Sequence, residues 1–311
     1  KSRRKRMTEG ARKVYEAAKT LDADLYHFHD PELLPYGLKL KREGKKVIFD
    51  SHEDTAQQII EKMWIPAPVR GPMCYLFNRY QKYVCRQLDA VVSVTPHICD
   101  SFRSFSKRLE MITNYPRLEP LPDRTVVHPD TLCFAGGIAE QWCHREILSA
   151  LKRCPDCTYV LCGDLDSDYG QSLQQMSGWK QVDYVGRIPH EQVHALLGTC
   201  GIGMSLLKPG RNTGFQLGTM GNTKIFEEMM AGLPIICTDF TLWNDFVERY
   251  HCGICVDPTS VDEIASAICY LLDHPDKSRQ MGKNSRRAVE QEFNWSNEEK
   301  KLLALYEDIL K

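Results

Sequence analysis

No apolar stretch in the 311 residues approaches the roughly 18 needed for a helix to cross a bilayer. That absence weighs against a transmembrane protein. An excess of one charge is lacking too: 40 Lys+Arg face 41 Asp+Glu, for a formal net charge of -1. No global field attracts nucleic acid, so no nucleic-acid partner is expected. The chain has no G-x-x-x-x-G-K-[ST] segment, which argues against a P-loop kinase, and it has no internal repeat or low-complexity tract. It also lacks a signal-peptide pattern. Its 13 Cys are odd in number and scattered, so free thiols in a reducing compartment are expected in place of a disulfide framework, and with them a cytoplasmic location. A composition of 42% hydrophobic and 26% charged residues is that of a globular protein.

What the sequence does have is alternation. Short β-branched or aromatic runs alternate with longer segments of helical period, and that pattern predicts α/β architecture with parallel sheets. At about 100–200 residues per domain, the length predicts two domains. The first would hold the strands DLYHFH, KKVIFDSH, AVVSVT and LEMITN, with helices over Arg12 to Leu21, Leu34 to Arg42, Leu76 to Gln87 and from Pro96. The segment YPRLEPLPDR, broken by Pro116, Pro120 and Pro122, reads as the linker. The expected divisions are 1–118, 119–292 and a terminal segment 293–311. The second domain would be complete and doubly wound, with TLCFAGG, TYVLCGD, VDYVGR, GIGMSLL, LPIICTD and CGICVD as strands. The first, with about four strands, looks short at its front end, and the chain opens on Lys1, so preceding residues are expected.

Ligands of open α/β sheets bind beyond the carboxyl ends of the strands. Two clusters sit at such ends: His27, His29 and Asp30 after DLYHF, and Asp50, Ser51, His52, Glu53 and Asp54 closing VIFDSHED. A period of two puts His27 and His29 on one face with Phe28 opposite. These histidines fit either a hydrogen-bonded structural role or chemistry at the sheet edge. In the second half, Gly136 and Gly137 follow a strand, suiting a phosphate-approaching turn or a plain tight turn, and Arg145 is a nearby cation. In GNTKIFEEMMAGLPIICTD, Gly221 and Asn222 suit a loop and Thr223 a helix cap. Lys224 and Glu227, three residues apart, share a helix face. That pair suits a diphosphate and a ribose near a positive helix end, or it is a surface ion pair. The pairs Cys154/Cys157 and Cys252/Cys255 are too far apart for a zinc ribbon, and GDLDSD lacks the rest of a calcium loop. The opening KSRRKR fits either contact with an anionic membrane or a solvated start.

KIFEEMMAGLPIICTD resembles the signature K-x-F-E-x-M-x-A-G-x-P of the GT-B glycosyltransferases, especially retaining family 4 of the bacterial cell-surface polysaccharide type. Other segments resemble that family in the same order. HFHDPELLPYGLKLKREGKKVIFDSHED is similar to its acceptor-side strands, ITNYP to its Asn-containing turn, and CFAGG to its diphosphate loop. VDYVGRIPHEQVHALLGTCGIGMSLL resembles its nucleobase-holding stretch, and FNWSNEEKKLLALYEDIL its terminal helix, which returns to the first domain.

The resemblance implies two Rossmann-like domains facing a cleft, with a nucleotide diphosphate sugar as donor and a glycan, lipid-linked glycan or small molecule as acceptor. It implies retention of configuration with no metal or cofactor. Lys224 and Arg145 would meet the diphosphate beside Gly136, Gly137 and Asn222, Glu227 the ribose, and backbone groups of Arg187 and Ile188 the base. His52 would face the donor sugar, with Asp30 as the competing catalytic candidate. The chain departs from the family pattern at Thr219, where a Glu is usual, in the cation content of GGIAEQWCHRE, and in lacking a front glycine-rich loop. An epimerase or phosphorylase on the same fold, or a non-catalytic partner subunit, are the other readings.

Overall fold

The computed structural model describes residues 5–62, 64–124 and 127–311. Residues 1–4 of KSRRKR therefore lie outside the described residues, and with them most of the expected membrane-contacting run. The chain divides into two compact units. The first is the chain up to Asn114 together with Asn297–Lys311, and the second is Tyr115–Ser296. Both divisions lie four residues from the expected ones. At the first of them, Tyr115 is held by packing, its ring lying 4.8 Å from Phe226 and 5.5 Å from Phe293.

In the first unit, strands β1 (Leu25–Phe28), β2 (Lys46–Ser51), β3 (Ala90–Ser93) and β4 (Leu109–Met111) run parallel in the order β1-β2-β3-β4. Strands covered on both faces read as continuous apolar runs, and KVIFDS and AVVS are buried almost throughout. The helix expected from Leu76 starts at Ala67 and runs to Cys85. Its prolines look like breakers in the sequence, but Pro68 occupies the first turn, where a missing N–H costs nothing, and only Pro72 forfeits a bond.

In the second unit, β5 (His128–Ala135), β6 (Thr158–Cys162), β7 (Val182–Gly186), β8 (Cys200–Ser205), β9 (Ile235–Thr238) and β10 (Gly253–Val256) form one parallel sheet. Its order is β10-β9-β8-β5-β6-β7, so the winding reverses between β5 and β8 and leaves a crevice at the carboxyl ends there. Helix Thr223–Met230 buries Ile225, Phe226, Met229 and Met230 against the sheet and stops at Gly232, whose φ of 77° a side chain would resist. All thirteen cysteines are free. Among the described residues no helix is long and apolar enough to cross a membrane.

The terminal helix, Trp295–Leu310, joins the first unit from Asn297 onward. Glu298, almost fully buried, accepts the backbone N–H of Thr113 at 3.0 Å and pairs with Lys301 Nζ at 2.8 Å. Arg108 adds a pair with Asp308 at 2.7 Å nearer the surface. Glu298→Ala would strand the Thr113 N–H, at a cost of about 1–3 kcal/mol. Urea unfolding should show that loss, and Glu298→Gln, which keeps an acceptor, should lose less.

Candidate functional site

Two groups of polar residues stand at strand carboxyl ends, one in each unit. In the second unit a pocket of about 810 Å³ opens at the switch point, lined by Gly136, Gly137, Gly163, Asp164, Arg187, Ile188, Lys224 and Glu227, among others. The chain thus brings together six of the residues singled out from sequence: Gly136, Gly137, Arg187, Ile188, Lys224 and Glu227. Gly136 has φ 154°, and a Cβ there would lie 2.1 Å from Lys224 Cε. Only glycine lets the lysine stem cross the loop.

Lys224 Nζ sits 4.3 Å from the centre of the Trp142 ring, a cation–π placement. Burial lowers its pKa from the ordinary lysine value, against the upward pull of the Glu227 and Glu228 carboxylates. Glu227 faces His190, with 3.2 Å between Oε1 and Nε2. Lys224, over Trp142, and Glu227, against His190, therefore do not form the surface ion pair that their spacing also allowed. The helix cap is Asn222, whose Oδ1 accepts the Lys224 N–H at 3.2 Å, so the expectation of Thr223 is corrected. Thr223 lines the pocket instead.

Arg145 is not brought to this pocket. Its guanidinium lies over the Tyr169 ring at 5.4 Å and donates to Ser172. A helical residue facing an aromatic neighbour is held there by stacking, which the bare cation count near Gly137 could not reveal. In GDLDSD, Asp164 accepts the Asp166 N–H and Ser167 caps the next helix, so the run is a turn. A smaller cavity of about 490 Å³ lies at the opposite, amino ends of β5, β8 and β9, beside Pro129, Gly201 and Pro234.

In the first unit β1 and β2 pair with His27 opposite Ile48 and Phe28 opposite Phe49. The period of two holds: His27 and His29 stack at 5.1 Å, while Phe28 packs on Phe49 at 5.2 Å. The carboxylate they gather round is Asp50. Its Oδ2 lies 3.4 Å from His27 Nε2, 3.2 Å from His29 Nδ1 and 3.3 Å from His52 Nε2. Asp30, the competing catalytic candidate, is exposed at the start of the turn Pro31–Leu33 and reaches this group only through its charge, which helps to raise His29.

Burial pushes the Asp50 carboxyl upward, but the three imidazoles facing it prevail and hold it well below the usual carboxylate range. The Asp50 contact in turn raises His29, against its partial burial. His52 Nδ1 is 2.9 Å from Asn114 Nδ2, and His27 Nδ1 is 2.6 Å from the Tyr306 hydroxyl. Asn114 and Tyr306 are site residues that sequence reasoning did not select, and Asp50, singled out with the cluster closing VIFDSHED, was given no role of its own. The signal for Asp50 was an acidic residue inside a buried strand.

The family described as Glycosyl transferases group 1 matches residues 126–288, and Glycosyltransferase Family 4 matches residues 1–115. The chain belongs to the glycosyl transferases group 1. Its two parallel α/β units are those of the GT-B fold. Sucrose-phosphate synthase from Thermosynechococcus elongatus superposes with a TM-score of 0.74 at 18% identity, over 99% of this chain and 80% of that one. HepE from Anabaena, solved with UDP and glucose, gives 0.75 at 15% identity over 99% and 83%. Among curated proteins, an alpha-D-kanosaminyltransferase from Streptomyces kanamyceticus is 25% identical over 51% of this chain. An MMP alpha-(1->4)-mannosyltransferase from Mycolicibacterium hassiacum is 32% identical over 26% of it. The matches span 39% and 20% of those two proteins.

Beside the pocket, Glu228 is fully buried, accepts Ser205 Oγ at 2.8 Å, and has its carboxyl pushed up to about 8 by burial despite that bond. The folded protein then holds a proton that the unfolded chain releases above about pH 4.5. Stability from this group is full below that pH and is lost as pH rises toward 8. Glu228→Gln, which cannot ionise, should therefore gain in melting temperature relative to the parent at pH 9 and show little gain at pH 5.

Proposed function

We propose that the protein is a glycosyltransferase that moves a sugar from a nucleoside diphosphate sugar to an acceptor glycan, lipid-linked glycan or small molecule. The observation that carries this reading is the second-unit pocket, where Gly136, Lys224 and Glu227 converge at the switch point. Backbone N–H groups at the start of helix Thr223–Met230 and the Lys224 ammonium suit a diphosphate leaving group. Glu227 suits the ribose hydroxyls, and the backbone at Arg187 and Ile188 suits the base. UDP-glucose is the first donor to try, since HepE, a structural neighbour, is described in complex with UDP-glucose. The thirteen free thiols support a reducing, cytoplasmic setting.

By its resemblance to family 4, transfer retains the anomeric configuration through front-face attack, with the departing phosphate oxygen taking the acceptor proton. The cations offered to the diphosphate belong to the protein, so the reaction needs no divalent ion. His52, by the same resemblance, acts on the reacting sugar. An epimerase would change the donor in the absence of any acceptor, which incubation with donor alone detects.

Glu227→Ala removes a charge-assisted acceptor worth about 1.5–3 kcal/mol, and nucleotide affinity measured by calorimetry should fall about tenfold or more. Unchanged affinity in a folded variant would remove Glu227 from the site. Turnover should survive EDTA; loss that magnesium or manganese restores would overturn the metal-independent reading. His52→Ala should keep nucleotide affinity while transfer drops by roughly 10²–10⁴-fold, and transfer at the parental rate would leave His52 a structural residue.

A further inference from the structure

The geometry points to a second, separate capability: His27, His29, His52 and Asp50 of the first unit form a binding site for a zinc-class divalent ion. Distances carry the argument. Charge-assisted N–H···O⁻ bonds run about 2.7–2.9 Å. The three nitrogens lie 3.2–3.4 Å from the one oxygen, Asp50 Oδ2. That is long for such bonds. A tetrahedral ion with bonds of about 2.0–2.1 Å holds its donor atoms about 3.3 Å apart, which is the spacing of each of the three nitrogens from Asp50 Oδ2.

The nitrogens of His29 and His52 are themselves only 2.9 Å apart, so one lone pair turns toward the other ring. The donor atoms of His27, His29 and Asp50 all lie within 4.8 Å of one another, and His52 Nε2 adjoins them through Asp50 Oδ2 and His29 Nδ1, so small side-chain turns bring the four onto one ion. Two of the buried polar atoms here have no hydrogen-bond partner, His27 Nε2 and Asp50 Oδ1. Buried polar atoms are normally satisfied, and an ion would engage the first directly.

An outer ring of partners is present as well. A ligating imidazole uses its other nitrogen as a donor to an orienting group. His27 Nδ1 has the Tyr306 hydroxyl at 2.6 Å, and His52 Nδ1 has the Asn114 amide at 2.9 Å, whose oxygen accepts once the amide is turned. Three imidazoles and one carboxylate suit zinc or cobalt and do not suit magnesium or calcium, which take oxygen ligands. An ion held here takes up the His52 Nε2 lone pair. It would inhibit the proposed transfer, not support it.

The test needs no turnover, so it stands or falls independently of the transferase reading. Cobalt(II) is titrated into the protein while visible absorption is followed, and zinc binding is measured by calorimetry. One ion per chain should bind, with the intense visible bands of four-coordinate cobalt and no sulfur-to-metal charge-transfer band. His29→Ala, at a half-exposed side chain, and Asp50→Asn should each weaken binding more than about 100-fold. Tyr306→Phe, one shell out, should weaken it about 10–100-fold. Binding weaker than about 10 μM in the parent would overturn the site. So would affinity unchanged in His29→Ala, or a thiolate band placing the ion on cysteines such as Cys154 and Cys269, whose sulfurs lie 3.2 Å apart.

Discussion

A carboxylate buried at the carboxyl end of a central strand has to be matched by positive or donating groups, and in the first unit this requirement ties distant segments together. Asp50 lies on β2, whose other residues after Lys46 are apolar or small, and water reaches only a tenth of its side chain. Ionised burial without partners costs far more than any single packing contact repays. The partners come from the end of β1 and from the loop after β2. Behind them stand Asn114, at the end of the unit, and Tyr306, on the terminal helix. Glu298 anchors that helix to the Thr113 backbone one residue from Asn114. Residues some 280 positions apart in the chain thus set the orientation of one cluster of imidazoles.

The second unit solves the opposite problem, holding positive charge where an anion is to arrive. Lys224 follows the cap residue Asn222 at the start of a helix whose free N–H groups already favour negative charge. Its stem lies across Gly136 and its ammonium over Trp142, so the side chain is held before any ligand enters. A fixed cation loses less entropy on binding than a mobile surface lysine would.

Much of this was legible in the sequence, and the limits have physical causes. The ten strands of the described residues could be read, the central ones because buried parallel strands are continuous apolar runs, and the exposed strand β7 only from its short run VDYVGR before a turn. The second-unit pocket followed from the switch-point rule and the Lys224/Glu227 spacing. Asp30 was named as the candidate competing with His52, while Asp50, in the cluster closing VIFDSHED, was given no role of its own, because nothing local in VIFD signals the histidines that meet its carboxylate. The stacking of Arg145 on Tyr169, and the arrival of Tyr306 and Asn114 beside the histidines, depend on contacts with no local signature. Thr223 and Asn222 are both good capping residues, and Asn222 takes the role because its backbone is still extended (φ -82°, ψ 99°) while Thr223 is already the first helical residue.

The neighbours Glu227 and Glu228 show how one helix serves both the pocket and the core. Successive helical positions are about 100° apart, so one side chain can line the cavity while the next points into the sheet. Glu227 lies against His190, with a fifth of its side chain open to solvent. Glu228 meets Ser205 on β8, and a Cβ at Gly203 would come within 2.7 Å of its carboxylate oxygen. No cation compensates Glu228 there beyond the distant pull of Lys224, so burial favours its neutral, protonated form. Chemical identity at these two positions is the same, and position on the helix alone separates a ligand-facing acceptor from a proton held in the core.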